Sequence, residues 1–316
     1  MSVVPEPSPD QPVVSVIMNC YNGAAYIKEA IDSVIAQTYP HWELIFWDNQ
    51  STDASAAIVQ AYTDPRIKYF HAPKFTPLGA ARNLAIAEAS GSLTAFLDSD
   101  DIWMPGKLEL QVPLFDNPKI GIVISDTIFF NGAGAERQLY NGTPPPTGNV
   151  FSALLRHYFI SLETAIVRQT ALETLDTLFD PRFNAIEEYD LFIRLCLAWE
   201  LGYVGQVLAK WRVHGDSWTF TRSNLFGSER RLFVTKLIGL VPDFQKLYPE
   251  EYRSLMRLCD FEDARELWRD GARDAARRLL KPYRTDGIRW LVTYALSFLP
   301  FGVFHFLEKT RRIRPQ

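Results

Sequence analysis

Three carboxylates follow a short apolar segment about a third of the way along the chain. Residues 93–97 are too few for a helix and predict a buried strand. The carboxylates after it belong to Asp98, Asp100 and Asp101. Carboxylates so close repel one another unless a cation neutralises them, and oxygen ligands suit Mg²⁺ or Mn²⁺ shared with substrate phosphates. The other interpretation is the acidic first turn of a helix that begins near Ile102.

A second acidic cluster lies about ninety residues later, at Glu187, Glu188 and Asp190. It precedes apolar residues at helical spacing, so its charges could simply complement the dipole of a helix. The alternative is a functional carboxylate. Arg212 and His214 lie near the end of a strand predicted over residues 207–213. A lone histidine is usually structural, and the position of His214 beside Arg212 at a strand end is the argument for a functional role.

The elements that must position these residues alternate between strand and helix. Short connections between them are typical of a mostly parallel, doubly wound α/β sheet flanked by helices. An alanine-rich helix that opens at Leu78 is predicted to end at Gly91, a residue common just beyond helix ends. The predicted strands are residues 13–18, 43–47, 67–70 and 93–97.

Polar residues follow three of these strands, at 19–22, at Asp48 with Asn49, and at 98–101. Ligands of open α/β sheets bind outside the carboxyl ends of the strands, so these groups are predicted to share one edge. The sequence has no glycine-rich phosphate-binding loop after a strand. Phosphate handling therefore falls to a metal or to basic side chains, which favours the metal interpretation of the first cluster.

Composition limits the class of protein. The chain has 316 residues, 47% of them hydrophobic, and a net charge of −4, so it lacks the global basic field that nucleic-acid binding favours. Its three cysteines are odd in number, which suits a reducing compartment. Residues 1–12 are polar and proline-rich, which predicts a disordered start and no signal peptide. We expect a cytoplasmic protein.

The pattern changes after residue 112. Residues 132–148 predict a long irregular loop, and such loops are often functional lids. From residue 226 the sequence is helical, with a break predicted at Gly271. Residues 288–307 are strongly apolar with basic flanks, which leaves three interpretations: a broken amphipathic helix on an anionic membrane face, a helix packed on the protein, or a membrane span.

Six short motifs, in this order, resemble those of the inverting glycosyltransferases of family 2, which have the GT-A fold. They cover residues 13–217 and are strong together, although each is weak alone. The motifs are Val-Ser-Val-Ile-Met-Asn-Cys-Tyr-Asn at 14–22, Trp-Asp-Asn-Gln-Ser-Thr-Asp at 47–53, Gly-Ala-Ala-Arg-Asn at 79–83, Asp-Ser-Asp-Asp at 98–101, Glu-Glu-Tyr-Asp-Leu at 187–191 and Trp-Arg-Val-His at 211–214.

The resemblance implies a nucleotide-diphosphate sugar donor, most often a uridine diphosphate sugar, and a bound Mn²⁺ or Mg²⁺. Tyr21 and Asn22 would line the nucleoside, Asp48 would accept from the base, and Arg82 would lie near the diphosphate. Asp98 would meet the ribose. The resemblance also places Asn49, Ser99, Glu187, Asp190 and Arg212 in the substrate site.

The resemblance further implies that Asp100 and His214 bind the metal and that Glu188 is the general base that deprotonates the acceptor hydroxyl. Asn49 and Glu188 each replace an aspartate of the family pattern, so Glu188 would reach one methylene further. The Gln-x-x-Arg-Trp motif of processive members is absent, which predicts addition of a single sugar. Inverting transfer needs one base, because a cation rather than a protein acid stabilises the leaving diphosphate.

These observations predict a non-processive glycosyltransferase acting on a glycan, and a lipid-linked saccharide would explain the apolar C-terminal segment at the cytosolic membrane face. A sugar nucleotidyltransferase and a non-catalytic nucleotide-sugar-binding protein are the alternatives. The predicted organisation is a disordered start at 1–12, a nucleotide-sugar-binding half at 13–112, an acceptor-binding half at 113–225, and a helical region at 226–316 with a membrane-association segment at 288–314.

Overall fold

The computed structural model describes residues 12–215 and 225–312, which form two compact units. The strands of the first unit are β1 (Val14–Cys20), β2 (Trp42–Asp48), β3 (Ile67–His71), β4 (Leu93–Phe96), β5 (Ile102–Trp103), β6 (Ile120–Phe130), β7 (Glu136–Gln138), β8 (Ile166–Arg168) and β9 (Glu200–Arg212). Its helices are α1 (Ile27–Ile35), α2 (Ser55–Gln60), α3 (Leu78–Ala87), α4 (Lys107–Gln111), α5 (Phe151–Arg156), α6 (Gln169–Leu172) and α7 (Glu187–Leu195).

One sheet organises this unit, in the order β3-β2-β1-β4-β8-β6-β9-β5, with β7 paired to β6. Its first four strands are parallel, as the βαβ pattern predicts. The antiparallel strand β8 then pairs with both β4 and β6, while β6 and β9 are parallel. The predicted α/β sheet flanked by helices is therefore present, with its antiparallel pairs confined to the half that follows β4.

Strands β1 and β2 lie at the centre of the parallel half of the sheet, and their burial reflects this position. Every residue of both strands is buried, as expected where helices cover the two faces of a sheet. Helix α1 packs its apolar stripe of Ile27, Ile31 and Val34 into this core. The edge strand β3 is only partly buried. All three cysteines are buried and reduced.

The predicted end of helix α3 at Gly91 is wrong, since the helix ends at Ala87 and Glu88 takes the C-cap position. Gly91 serves a different purpose. A side-chain carbon at this position would lie 2.5 Å from the carbonyl oxygen of Val13. Glycine therefore lets the chain pass close to β1 before it enters β4.

The segment predicted as an irregular loop over residues 132–148 contains the short strand β7, which pairs with the end of β6. The strand β6 is a single element of eleven residues that runs through the polar residues Ser125 and Asp126. Register shifts on either side of Asp126 show a bulge there. The bulge accommodates the change of register, so the strand continues through it.

The second unit is helical, as predicted. Its helices are α8 (Phe226–Leu240), α9 (Phe244–Leu247), α10 (Pro249–Arg269), α11 (Arg273–Leu280), α12 (Ile288–Leu296) and α13 (Phe301–Arg312). Gly271 breaks α10 from α11 at φ +84°, a conformation that favours glycine.

The apolar C-terminal segment forms two helices, α12 and α13, as the interpretation of a broken helix implies. One side of it packs inward, where Tyr294, Leu296, Phe301 and Phe304 join a core with Trp268. The other side is exposed and carries Ile288, Leu291, Phe298, Leu299, Val303 and Leu307. Among the described residues, no helix has the length and apolarity that crossing a bilayer requires.

Candidate functional site

Hydrogen bonds join the turn after β1 to the turn after β2 at the carboxyl edge of the sheet. Asn22 and Gln50 both have positive φ, 56° and 73°, at these two turns. The backbone N–H of Asn22 donates to Ser51 Oγ at 2.9 Å, and its side-chain Oδ1 accepts from Thr52 N at 2.7 Å. The unusual backbone of Asn22 is thus held by contacts with the neighbouring turn, which fixes the edge on which a ligand would lie.

Asp48 and Asn49 hold the turn after β2 in place through hydrogen bonds to neighbouring segments. The Asp48 carboxylate is buried and accepts from Ser51 N at 2.8 Å and from the Tyr69 hydroxyl at 2.7 Å. Asn49 donates to the Thr76 carbonyl at 2.7 Å and accepts from Thr76 N at 3.2 Å. Both residues therefore shape the turns that surround the predicted nucleoside position.

An exposed aromatic pair stands beside these turns. The Tyr21 side chain is 52% exposed and meets the ring of Phe75 edge to face, with centroids 5.0 Å apart. Phe75 is itself half exposed. Exposed aromatic faces next to one another can stack a planar ligand. The sequence singled out Tyr21 but missed Phe75, which lies in the loop between β3 and α3 and belongs to no motif.

The acidic turn after β4 divides into open and buried carboxylates. The side chains of Asp98 and Asp100 are 35% and 25% exposed, whereas Asp101 is fully buried. Ser99 Oγ lies close to Gly23, at the turn after β1. The alternative interpretation of this cluster, the first turn of a helix near Ile102, is wrong, because strand β5 follows Asp101, whose carboxylate accepts from Arg212 N at 2.8 Å. Asp101 instead ties the turn to strand β9.

His214 and Asp100 form the pair predicted to bind the metal. Imidazole Nε2 and carboxylate Oδ2 are 2.8 Å apart although their residues are 114 positions apart in the chain. The ring of Tyr26 lies against His214, with centroids 5.1 Å apart. Burial and then the charge of Asp98 raise the pKa of Asp100, while the His214 contact lowers it. A carboxylate in such surroundings favours an added positive charge.

This donor set fits a divalent cation that is shared with a substrate. Within residues 12–215 and 225–312, no group of three or more His, Cys, Asp or Glu side chains is arranged to hold a metal by itself. One carboxylate oxygen and one imidazole nitrogen leave most coordination positions for water and phosphate oxygens. Mg²⁺ commonly binds through one or two protein carboxylates together with water and substrate phosphates, and Mn²⁺ also favours carboxylate and water oxygens.

Arg82 connects the two acidic clusters. Its guanidinium donates from Nη2 to Asp98 Oδ1 at 2.8 Å and from Nη1 to Glu187 Oε1 at 2.9 Å. The arginine and Glu187 are each 3% exposed, so this ion pair is buried. Helix α3 supplies the arginine and the first turn of α7 supplies the glutamate. The structure therefore brings together side chains that the sequence presented as separate motifs.

Glu188 stands in the first turn of α7, beside this ion pair, and is partly exposed. Burial, followed by the charge of Glu187, raises the pKa of Glu188 to about 8, while the charge of Arg82 opposes the rise. A carboxylate with a pKa near neutrality can accept a proton and still be present in its basic form. These are the properties of a general base.

Asp190 and Arg212, both predicted to contact substrate, make contacts within the protein. Asp190 is fully buried and pairs with Arg194, whose Nη1 donates to the Thr177 carbonyl at 2.7 Å. Arg212 donates to the Asp100 carbonyl at 2.9 Å and to Glu29 at 2.7 Å. The first pair anchors α7, and the second holds the acidic turn in place.

The chain matches the model of the family described as "Glycosyl transferase family 2" over residues 15–176. Among curated proteins, it is 32% identical to WfgD of Escherichia coli, a UDP-Glc:alpha-D-GlcNAc-diphosphoundecaprenol beta-1,3-glucosyltransferase, over 59% of this chain and 70% of WfgD. It is 37% identical to TuaG of Bacillus subtilis, a putative teichuronic acid biosynthesis glycosyltransferase, over 42% of this chain. That match spans about half, 51%, of the length of TuaG, and others span less.

Solved structures share the fold. TarS residues 1–349 of S. aureus, in complex with UDP, has a TM-score of 0.61 at 21% identity and covers 81% of this chain, while the chain covers 72% of it. Mannosyltransferase PcManGT from Pyrobaculum calidifontis, in complex with GDP-Man and Mn²⁺, has a TM-score of 0.60 at 18% identity, over 96% of this chain and 81% of that one.

The predicted fold class and family are both confirmed by these matches. The mixed sheet flanked by helices is the GT-A fold, and the helical C-terminal region is present. The six motifs that suggested the family fall on β1 and the turn after it, on the end of β2 and the turn after it, on α3, on the turn after β4, on α7 and on the end of β9. The chain belongs to glycosyltransferase family 2.

Proposed function

We propose that this chain is a metal-dependent, inverting glycosyltransferase that moves one sugar from a nucleotide-diphosphate sugar, a UDP-sugar, to a glycan hydroxyl. The observation that carries the proposal is the Arg82 bridge, which joins the donor-side carboxylate Asp98 to Glu187, the neighbour of Glu188. The UDP complex of TarS and the UDP-Glc donor in the name of WfgD support the choice of nucleotide. Family membership favours transfer over the nucleotidyltransferase and binding-only alternatives.

Glu188 performs the proton transfer in this proposal. The acceptor oxygen forms a bond to the anomeric carbon as the bond from that carbon to the diphosphate oxygen breaks, with inversion. The electron pair leaves with the nucleoside diphosphate, and the hydroxyl proton passes to the Glu188 carboxylate. One protein carboxylate suffices, whereas inverting hydrolases need a second one to protonate the leaving oxygen.

Asp100 and His214 would hold the cation, Mn²⁺ or Mg²⁺, and Asp98 would meet the ribose. Bound there, the cation supplies charge neutralisation for the departing diphosphate. The Mn²⁺ in the PcManGT complex supports manganese, and the carboxylate oxygen of Asp100 together with diphosphate oxygens would suit magnesium as well. Arg82 adds a fixed positive charge beside Asp98. Tyr21, Asn22, Asp48 and Asn49 would frame the nucleoside, and Ser99 would line the turn between them.

We further propose that the acceptor is a lipid-linked saccharide used for cell-surface polysaccharide and that the protein associates peripherally with the inner face of the cell membrane. The diphosphoundecaprenol acceptor in the name of WfgD and the teichuronic acid assignment of TuaG support such an acceptor. The exposed apolar side of α12 and α13 supports an interfacial position for the second unit.

The activity is tested by incubating the purified full chain with a panel of UDP- and GDP-sugars and a lipid-linked saccharide acceptor, with Mn²⁺ or with a chelator. We expect nucleoside diphosphate release from one UDP-sugar that requires the metal. Tight donor binding without release, across the panel of donors and with acceptor present, would show a binding protein and overturn the proposal.

A further inference from the structure

A cationic cleft lies in the second unit, where α11 meets the turn between α12 and α13. Its volume is about 570 Å³, and Phe298 forms its apolar border. Three arginines, Arg273, Arg277 and Arg278, line it together with a single carboxylate, that of Asp274. The lining therefore carries a net positive charge, although the chain as a whole is acidic.

Neutral groups hold two of these arginines. Arg273 donates to the Phe298 carbonyl at 3.4 Å, and Arg277 donates to the Ser297 carbonyl at 3.3 Å. The Arg277 guanidinium also lies 4.6 Å over the Phe298 ring and pairs with Asp274. The turn itself is anchored, because Trp268 Nε1 donates to the Leu299 carbonyl at 2.7 Å. The carbonyl contact orients the Arg273 guanidinium without cancelling its charge, whereas Asp274 offsets the charge of Arg277.

The arginines of α8 and α10 differ, because carboxylates neutralise several of them. Arg231 pairs with Asp260 and Asp263, and two arginines of α10, Arg253 and Arg257, share Asp286. Within the described part of this unit, Arg273 and Arg278 make no ion pair. Paired arginines stabilise helix packing, whereas unpaired ones that line a cleft attract an anion.

Exposed apolar side chains adjoin the cleft on the side of the turn. Phe298 is 54% exposed and Leu299 is 44% exposed, and Val303 follows them on α13. A soluble phosphate ion has no apolar part that could contact these side chains. A phospholipid matches both parts, since its phosphate meets guanidinium groups while its acyl chains receive the apolar side chains. Guanidinium forks suit phosphate better than ammonium groups do.

We propose that this cleft is a binding site for the phosphate of an anionic bilayer phospholipid, which seats the turn of residues 297–300 in the membrane interface. The proposal rests on the peripheral association proposed above and names the group that is recognised. Phe298 and Leu299 enter the interface, and Arg273 and Arg278 contact headgroup phosphates from the side of the cleft.

Co-sedimentation of the full chain with vesicles tests the proposal. The vesicles are phosphatidylcholine alone, phosphatidylcholine with a third phosphatidylglycerol, or phosphatidylcholine with a polyprenyl phosphate at equal surface charge. The variant Arg273→Gln/Arg278→Gln is compared with Lys119→Gln/Lys246→Gln, which removes the same charge from two exposed lysines outside the cleft. Circular dichroism confirms that each variant is folded, and Phe298→Ser tests the apolar contact separately.

We expect the arginine variant to lose on the order of 30-fold in affinity for phosphatidylglycerol vesicles, since each basic residue near an anionic surface contributes about 1 kcal/mol. The lysine variant should change by less than about threefold. Phe298→Ser should bind more weakly while still preferring phosphatidylglycerol.

Equal losses in the two charge variants would overturn the proposal, because they would show a diffuse effect of charge. So would equal binding to phosphatidylcholine alone, binding to the polyprenyl phosphate vesicles only, or displacement by millimolar inorganic phosphate. Turnover of a soluble donor is measured on the same samples. Intact turnover without binding to any vesicle would contradict both this inference and the peripheral association on which it rests, and equal losses in the two charge variants would contradict this inference alone. Vesicle binding without any turnover would contradict the proposed activity alone.

Discussion

Arg82 and Glu187 form a buried ion pair, with Nη1 and Oε1 2.9 Å apart, that joins helix α3 to the first turn of α7. The same guanidinium holds Asp98, so one side chain connects the turn after β4 to helix α7. A buried arginine between two carboxylates costs desolvation energy, and its loss leaves those carboxylates uncompensated. We therefore expect replacement of Arg82 to change both the stability of the fold and the geometry of the site.

Arg82→Met should lower the free energy of unfolding by about 3–5 kcal/mol, because the buried Glu187 and the partly exposed Asp98 lose their counter-charge. Urea denaturation measures this loss. Arg182→Met is the matched control, since Arg182 pairs with Asp180 but its side chain is 54% exposed. The control should cost less than about 1 kcal/mol. Similar losses in the two variants would refute a special role for the buried bridge.

The rate should depend on pH through Glu188. Because burial and Glu187 raise the pKa of Glu188 to about 8, the basic form accumulates only as the pH approaches that value. We expect kcat/KM to rise from pH 6 and to level off above pH 8. A profile that is already flat at pH 6 would show that a group with an ordinary carboxylate pKa carries the proton.

The same shift predicts a dependence of stability on pH. The folded protein holds the Glu188 proton up to about pH 8, whereas the unfolded chain releases it near the ordinary value of 4.5. Since the folded state binds more protons between these values, the contribution of Glu188 to stability is present below pH 4.5 and is lost as the pH rises to 8. Thermal unfolding should show that Glu188→Gln gains in Tm over the wild type across this range. A constant difference in Tm would contradict the raised pKa.

His214→Ala should raise the Mn²⁺ concentration for half-maximal activity by about 10- to 100-fold, because one of the two proposed protein ligands is lost. A metal titration of donor turnover measures the change. His157→Ala, at an exposed position, provides the control. An unchanged Mn²⁺ requirement in His214→Ala would remove the histidine from the metal site.

Phe75→Ala tests the aromatic pair that the sequence did not reveal. If Tyr21 and Phe75 hold the base of the donor, the variant should bind UDP about tenfold more weakly, since stacking of a base on an aromatic ring contributes about 1–3 kcal/mol. Calorimetric titration with UDP measures the affinity. Phe75→Tyr keeps the ring and should bind normally. Equal affinities of the alanine variant and the wild type would place the base elsewhere.

Local patterns in the sequence predicted the strands, because a buried parallel strand reads as a short apolar run and its polar continuation marks the edge that binds ligands. They did not predict what each acidic side chain touches. Asp101 accepts from Arg212, 111 residues away, and Arg82 meets Glu187, 105 residues away. Contacts of this kind depend on how β9 and α7 are placed against β4, which periodicity does not encode. The alternative interpretation of the first cluster, the first turn of a helix near Ile102, failed for this reason.

The most direct test of the account replaces the proposed base. Sugar transfer by Glu188→Gln and Glu188→Asp is compared with the wild type on one donor and acceptor pair, with the donor Kd measured in parallel. Glu188→Gln should lose about 10²- to 10⁴-fold in kcat with a nearly unchanged Kd, and Glu188→Asp, the family's usual residue, should keep part of the activity. Near-normal transfer by Glu188→Gln would show that Glu188 is not the general base.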